Sequence, residues 1–118
     1  MLFNTSEAQH MGMDGGVLYC SSKAALRSVV RVLCKELSPR GIRVNAVSPG
    51  AFDTTFMERA GVPADQASQI KAGVQSNIPL SRVGLPSEVA AAAVFLMSPE
   101  ASCITGSELA VDGGLQQV

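Results

Sequence analysis

The chain has 118 residues, of which 47% are hydrophobic and 16% charged, a balance typical of one globular domain with a modest core. Its formal net charge of −1 and its few aromatic residues provide neither a basic surface for nucleic acid or membranes nor a platform for base stacking. Three widely spaced cysteines without a CxxC pair favour reduced thiols over a disulfide framework or a zinc site, and no apolar segment approaches the length of a membrane span. We therefore expect a cytoplasmic protein without a nucleic-acid, membrane or metal partner.

The first part of the chain predicts a strand, a loop and a long helix. The segment MLFNTS is typical of a short apolar strand, and the glycine-rich EAQHMGMDGG that follows is typical of a loop. From about Ser22 to Leu37, apolar residues recur every one to four positions, which is the stripe of an amphipathic helix. We expect Arg27, Arg31 and Lys35 on the opposite face of this helix, in contact with solvent.

The second part of the chain predicts two further strands and more helix. The segment IRVNAVSPG is typical of a short strand closed by Pro49 and Gly50, and residues 54–76 indicate a weaker helix that Gly61 and Pro63 interrupt. A clear helix start at Pro86 precedes the run VAAAAVFLM, which we expect to be buried, and SELAVDGG indicates a last strand. Three strands alternating with helices predict an α/β fold with a parallel sheet, although such sheets are usually wider.

Tyr19 and Lys23 lie four residues apart at the predicted start of the long helix, about one helical turn, so both side chains should share one face. An ammonium group beside a phenol stabilises the phenolate, which makes a tyrosine usable as an acid or base near neutral pH. Such a pair also occurs on helix surfaces without any function. The catalytic interpretation therefore depends on the surrounding residues.

Several landmarks follow one another in a recognisable order. YCSSK matches a YxxxK motif, and Ser6 stands thirteen residues before Tyr19. GIRVNAVSPGAFDTT is a strand with a Pro-Gly turn, and the region from PLSRVG to VDGG contains a helix and a strand with the ending ITG…VDGG. In this order and spacing they resemble the C-terminal half of the short-chain dehydrogenase/reductase family, over nearly the whole chain. The resemblance implies a partial Rossmann-like, doubly wound parallel sheet.

The resemblance also implies hydride transfer between NAD or NADP and a small carbonyl or alcohol substrate. Tyr19 would donate a proton to the carbonyl oxygen, Ser6 would hydrogen-bond the same oxygen, and Lys23 would bind the nicotinamide ribose. The implied cofactor-binding residues are Tyr19, Lys23, Pro49, Gly50, Phe52 and Thr54. Two alternatives stay open, since Ser6 could simply cap a turn and Phe52 could be a core aromatic residue.

The family's TGxxxGxG phosphate-binding turn, adenosine pocket and catalytic asparagine have no counterpart in this sequence. We therefore expect residues 1–118 to be the C-terminal part of a single NAD(P)-binding Rossmann-like domain, inactive without the other half. The alternative is a non-catalytic truncated remnant or an oligomerisation module. Gln9 also replaces a glycine often found three residues after the serine.

The segment from Thr55 to Asn77 should form much of the substrate pocket, but its composition is not diagnostic. The ending of the chain is similar to family members that reduce 3-oxoacyl thioesters or oxidise sugars and polyols. Family members assemble through the helix after YxxxK and through the last helix and strand, so we expect a homo-oligomer. We also expect the first strand to be a sheet edge that promotes association. His10, the only histidine, could contact substrate from its loop, but a solvated position is the simpler interpretation.

Overall fold

A three-stranded parallel sheet forms the centre of the protein, as a computed structural model of all 118 residues, Met1–Val118, describes it. The strands are β1 (Leu2–Asn4), β2 (Asn45–Pro49) and β3 (Glu108–Val111), in the spatial order β1-β2-β3. The helices are α1 (Val17–Leu37), α2 (Phe56–Arg59), α3 (Ala64–Gln75) and α4 (Pro86–Met97). The predicted α/β fold is therefore confirmed, and β1 lies at one edge of the sheet as expected.

The central strand β2 has a hydrogen-bonded neighbour on each side, and all its residues except Pro49 are buried. Its residues are small or apolar, and the one buried amide, Asn45, has a partner for both its nitrogen and its oxygen. The side chain of Asn45 donates to the carbonyl oxygen of Ile104 at 2.8 Å and accepts from the backbone N–H of Ser107 at 3.1 Å. Such pairing is what allows a polar side chain in a core, since a buried amide without partners is costly.

Helix α1 covers one face of this sheet. Val30 of α1 packs against Val44 and Ala46, and all three are fully buried. Partly buried side chains of Phe3, Leu33, Cys34, Leu37 and Ile42 surround them. The predicted stripe is confirmed except at Val29, which is 41% exposed, and the helix starts five residues earlier than the apolar repeat indicates, at Val17.

Arg27 does not lie on the solvated face that its charge predicts. Its side chain is only 16% exposed, and its guanidinium donates to the carbonyl oxygen of Gly106 at 3.0 Å. The physical reason is its helical position, because Arg27 follows Tyr19 and Lys23 at intervals of four residues and so shares their face.

Helix α4 is less buried than its run of apolar residues predicts. Leu96 is 3% exposed, whereas Val94 is 63% exposed and Met97 is 57% exposed. The helix is apolar on all sides, but a three-stranded sheet covers only one of them. No helix of the structure combines the length and the apolar character needed to cross a membrane.

Candidate active site

The first turns of α1 carry the tyrosine and lysine of the YxxxK motif. The Nζ atom of Lys23 lies 5.7 Å from the centroid of the Tyr19 ring, so the two side chains share a face as predicted. The same Nζ donates a hydrogen bond of 3.0 Å to the carbonyl oxygen of Asn4, the last residue of β1. The Tyr19 ring also lies 6.0 Å from that of Phe56, measured between centroids. Lys23 therefore ties the start of α1 to the carboxyl end of β1.

Ser6 follows β1 by two residues and caps a short 3₁₀ turn, Glu7–Gln9. The Ser6 hydroxyl oxygen accepts a hydrogen bond of 3.3 Å from the backbone N–H of Ala8, and the residue is 8% exposed. The alternative interpretation of Ser6 as a turn cap is therefore confirmed. This role does not exclude another, because the oxygen is only an acceptor in that bond and the O–H group remains available as a donor.

The Pro-Gly turn brings the end of β2 close to the end of β3. Gly50 donates its backbone N–H to the carbonyl oxygen of Val111 at 3.0 Å. A Cβ atom at Gly50 would lie 2.6 Å from Oε2 of Glu7 and 2.7 Å from Cβ of Asp112. The carboxyl ends of all three strands thus converge, which is where ligands bind in open parallel sheets.

Phe52 and Thr54, which follow the turn, have different surroundings. The Phe52 backbone pairs with Gly84, and its ring packs directly against that glycine. Thr54 is exposed, and its hydroxyl oxygen accepts from the backbone N–H of Phe56 at 3.4 Å. Phe52 also lines a cavity of about 490 Å³ to which Ser6, Tyr19 and Lys23 do not contribute. The Phe52 side chain therefore serves packing, and any contact of Phe52 with a cofactor would come from its main chain.

Glu7 is a residue of this region that the sequence analysis did not single out. Its Oε2 atom is buried without a hydrogen-bond partner. Burial, with a smaller contribution from the charge of Asp112, raises the pKa of the Glu7 carboxyl to about 7. Asp112 itself accepts from the backbone N–H groups of Gly114 at 2.9 Å and Gln116 at 2.8 Å. The signal available in the sequence was an acidic residue three positions after the end of a strand.

This raised pKa predicts how the stability of the protein changes with pH. The folded state binds more protons than the unfolded state between the ordinary carboxyl pKa of 4.5 and about 7, so stability falls as pH rises through that window. Glu7→Gln removes the buried charge and should therefore stabilise the protein more at high pH than at low pH. After a discount for solvent screening, its gain in the free energy of unfolding should be about 1–2 kcal/mol larger at pH 8 than at pH 5.

Urea unfolding of the wild-type protein and Glu7→Gln at both pH values measures this difference. Glu58→Gln, a change at an exposed glutamate, is the control and should show no such pH-dependent gain. Equal effects of the two variants at both pH values would contradict the burial argument.

His10 directly follows the 3₁₀ turn that Ser6 caps. Its Nε2 atom is 3.3 Å from Oε2 of Glu108, and its side chain is 47% exposed. The structure thus places His10 beside a carboxylate at the start of β3 and leaves it half in solvent. No group of three or more His, Cys, Asp or Glu residues is arranged to hold a metal ion.

The comparison with known families agrees with this geometry. Residues 1–116 match the family model described as Enoyl-(Acyl carrier protein) reductase, one of the models of the short-chain dehydrogenase/reductases. The chain therefore belongs to the short-chain dehydrogenase/reductase family, whose members are NAD(P)-dependent oxidoreductases with a Rossmann fold.

Individual relatives give the same assignment. The chain is 48% identical over 103 residues to the uncharacterized oxidoreductase YmfI of Bacillus subtilis, and the matched region covers 87% of this chain and 40% of that protein. It is 43% identical over 109 residues to the NAD-dependent glycerol dehydrogenase of Listeria innocua, and the matched region covers 92% of this chain and 41% of that protein. A solved small-chain dehydrogenase in complex with NADPH superposes with a TM-score of 0.88 at 31% identity, covering 99% of this chain and 51% of that one. The chain thus spans less than half the length of the curated relatives it matches.

Proposed function

We propose that residues 1–118 form the C-terminal part of a single Rossmann-like domain of an oxidoreductase that interconverts a carbonyl and an alcohol with NAD or NADP. The observation that carries this proposal is the position of Lys23, whose Nζ contacts both the Tyr19 ring and the carbonyl oxygen of Asn4. Asn4 ends the strand that leads to Ser6, so Lys23 connects that strand with the helix that carries Tyr19. The arrangement agrees with the family to which the chain belongs.

Tyr19 is the proton donor in this proposal. Its residue is 36% exposed, so its phenol can reach a substrate at the start of α1. Reduction of a carbonyl places negative charge on its oxygen, and a phenol that transfers a proton to that oxygen removes the charge. In the oxidation direction the same group accepts the proton from the alcohol.

Ser6 orients the substrate in this proposal. Its oxygen is already engaged as an acceptor with Ala8, so the direction of its O–H bond is restricted and the hydrogen is left for another acceptor. A donor held in advance near the carbonyl oxygen stabilises charge that develops there during the reaction. Because Ser6 is 8% exposed, water competes weakly for this hydrogen bond.

The donors near Tyr19 fit the ribose end of a nicotinamide cofactor. Lys23 uses one of its three N–H donors on Asn4, which leaves two for ribose hydroxyl groups. Such a cofactor, when bound, supplies the hydride. Pro49 ends β2, and Gly50, Phe52 and the exposed Thr54 follow it. In this proposal the backbone of these residues completes the nicotinamide contacts.

Two substrate classes are supported. The similarity to an NAD-dependent glycerol dehydrogenase supports a sugar or polyol, and the 40% identity over 104 residues to the 3-oxoacyl-[acyl-carrier-protein] reductase FabG of Thermotoga maritima supports a 3-oxoacyl thioester. The full-length protein should therefore be assayed for NADPH oxidation with a 3-oxoacyl thioester and for NAD reduction with glycerol. Turnover with neither class would favour the alternative of a non-catalytic oligomerisation module.

We also propose a cytoplasmic homo-oligomer. The three cysteines are unpaired, which is usual in a reducing compartment. Val17 and Leu18 of α1 are 77% and 85% exposed, and in residues 1–118 alone the edge strand β1 also has unpaired backbone groups on its outer side. Light scattering of the purified chain should show association, and a monodisperse monomer at high concentration would contradict it.

Lys23→Ala is expected to weaken cofactor binding and turnover together. It removes a charged donor to the ribose and the anchor on Asn4, and one hydrogen bond to a charged group corresponds to about 10–100-fold in affinity. Cofactor titration and steady-state kinetics of the full-length protein measure both effects. Lys35→Ala, at the exposed end of α1, is the matched control and should leave both unchanged. A loss of turnover with unchanged cofactor affinity would contradict the ribose assignment.

A further inference from the structure

A largely buried carboxylate, that of Glu108, connects the Ser6 turn to the helix that carries Tyr19. Oε1 of Glu108 accepts hydrogen bonds from the Thr5 hydroxyl at 2.5 Å and from the Gln9 side-chain amide at 2.7 Å. Its Oε2 lies 3.3 Å from Nε2 of His10 and 3.5 Å from Nε of Arg27. The side chains of Glu108 and Arg27 are 11% and 16% exposed. Both carboxylate oxygens are therefore used within the protein.

The partners of Glu108 lie on both sides of Ser6 in the sequence. Thr5 precedes Ser6 directly, and Gln9 closes the turn by donating its backbone N–H to the carbonyl oxygen of Ser6 at 3.3 Å. Glu108 reaches them across β2 because the residue beside it in the sheet register is the small Ala46. One carboxylate thus holds the start and the end of the turn that contains Ser6.

The contact of Glu108 with Arg27 connects the cluster to α1. Arg27 shares the helix face of Tyr19 and Lys23, and its guanidinium also donates to the carbonyl oxygen of Gly106, just before β3. Lys23 holds the same helix to β1 through Asn4. The first half of α1 is therefore fixed at two points, by Lys23 to the end of β1 and by Arg27 to the segment just before β3.

The charge state of this cluster agrees with its geometry. Burial, the largest single influence, opposes ionisation of Glu108, but the hydrogen bonds from Thr5, Gln9 and His10 favour it. With the added charge of Arg27, they hold the pKa of the Glu108 carboxyl below its usual value. An ionised, fully engaged carboxylate restricts its neighbours more strongly than an apolar side chain, although it adds little net stability. The effect to be expected from Glu108 is therefore on geometry more than on stability.

We propose that Glu108 is a positioning residue, which fixes the Ser6 turn relative to α1 and thereby sets the separation of the Ser6 and Tyr19 hydroxyl groups. This inference rests on the proposed function of those two residues. It requires no contact between Glu108 and substrate or cofactor. It predicts that a change at Glu108 acts on turnover through the turn and leaves the ribose contacts of Lys23 intact.

Glu108→Gln in the full-length protein tests the proposal. The amide keeps the shape of the side chain, but it removes the charge beside Arg27, and its nitrogen can only donate, so the donors that Glu108 now holds must rearrange. Because misplacement of a reacting group by about 1 Å costs up to about 100-fold in rate, kcat should fall by about 10–100-fold. The KM for the cofactor should change by less than about 2-fold. A purely structural role would lower the melting temperature and leave kcat per folded molecule unchanged.

Two further variants complete the test. Glu36→Gln, at an exposed position of α1, is the matched control and should behave as wild type. Gln9→Met removes one contact of Glu108 and keeps the ion pair with Arg27, so it tests the same idea if Glu108→Gln folds poorly. A wild-type kcat in Gln9→Met or in folded Glu108→Gln would overturn the proposal.

A readout independent of activity separates this inference from the proposed function. Amide hydrogen exchange at Gln9 and His10, whose backbone N–H groups close the turn, should be faster in Glu108→Gln than in wild type. Unchanged exchange would show that Glu108 does not hold the turn, whatever the kinetics. Faster exchange together with full activity of Tyr19→Phe would show instead that the proposed function is wrong.

Discussion

Tyr19→Phe is expected to lower kcat of the full-length protein by about 10²–10⁴-fold, the usual contribution of general acid catalysis. The substitution keeps the ring, and with it the contacts to Phe56 at 6.0 Å and to the Lys23 ammonium at 5.7 Å. It removes only the hydroxyl group. The loss should therefore appear in turnover, while the start of α1 keeps its structure.

Cofactor binding separates this prediction from that for Lys23. Cofactor affinity should change little in Tyr19→Phe, because the Lys23 donors remain, whereas Lys23→Ala should affect binding and turnover together. Steady-state kinetics combined with cofactor titration distinguish the two patterns. If Tyr19→Phe retained kcat within a few-fold of wild type, Tyr19 would not be the proton donor.

Gly50→Ala should destabilise the protein by about 3 kcal/mol, at the upper end of what overpacking usually costs. The new methyl group would lie 2.6 Å from Oε2 of Glu7 and 2.8 Å from Cα of Asp112. The glutamate side chain can move, but the Cα atom belongs to the backbone that follows β3. That backbone is held by the hydrogen bond from Gly50 to Val111. Relief of the overlap therefore requires the ends of β2 and β3 to separate.

Gly73→Ala is the matched control for this experiment. Gly73 lies inside α3 with no atom within 4 Å of its would-be Cβ, so alanine should stabilise the helix by up to about 1 kcal/mol. Denaturant unfolding of the two variants should therefore give opposite signs. Equal stability of Gly50→Ala and wild type would mean that the strand ends at the Pro-Gly turn are not packed as described.

Local features of the chain predict much of this fold. The apolar stripe of α1, the interruption of residues 54–76 and the helix start at Pro86 depend on neighbours within a few positions. The interruption and the helix start are confirmed, and the stripe is confirmed apart from the exposed Val29. The exposure of α4 was not predictable in this way. A run such as VAAAAVFLM shows that a helix can be buried, but the width of the sheet decides how many of its sides are covered.

The candidate site shows the same division. The four-residue spacing of Tyr19 and Lys23 predicts their shared face, and the spacing extends to Arg27, whose inward position could have been found by the same argument. The contacts of Glu108 with Thr5 and Gln9 could not have been predicted, because they depend on the order of strands that are distant in the sequence. The catalytic roles of Ser6, Tyr19 and Lys23 stay predictions.

The position of β1 and β3 on either side of β2 also has a kinetic consequence. Thr5 and Glu108 are separated by 103 positions along the chain, and the parallel pairing of β3 with β2 forms only after Glu108–Val111 has been synthesised. Contacts between such distant residues close large loops and slow folding. During translation the Ser6 turn therefore lacks its partner Glu108 until nearly all of these 118 residues have left the ribosome.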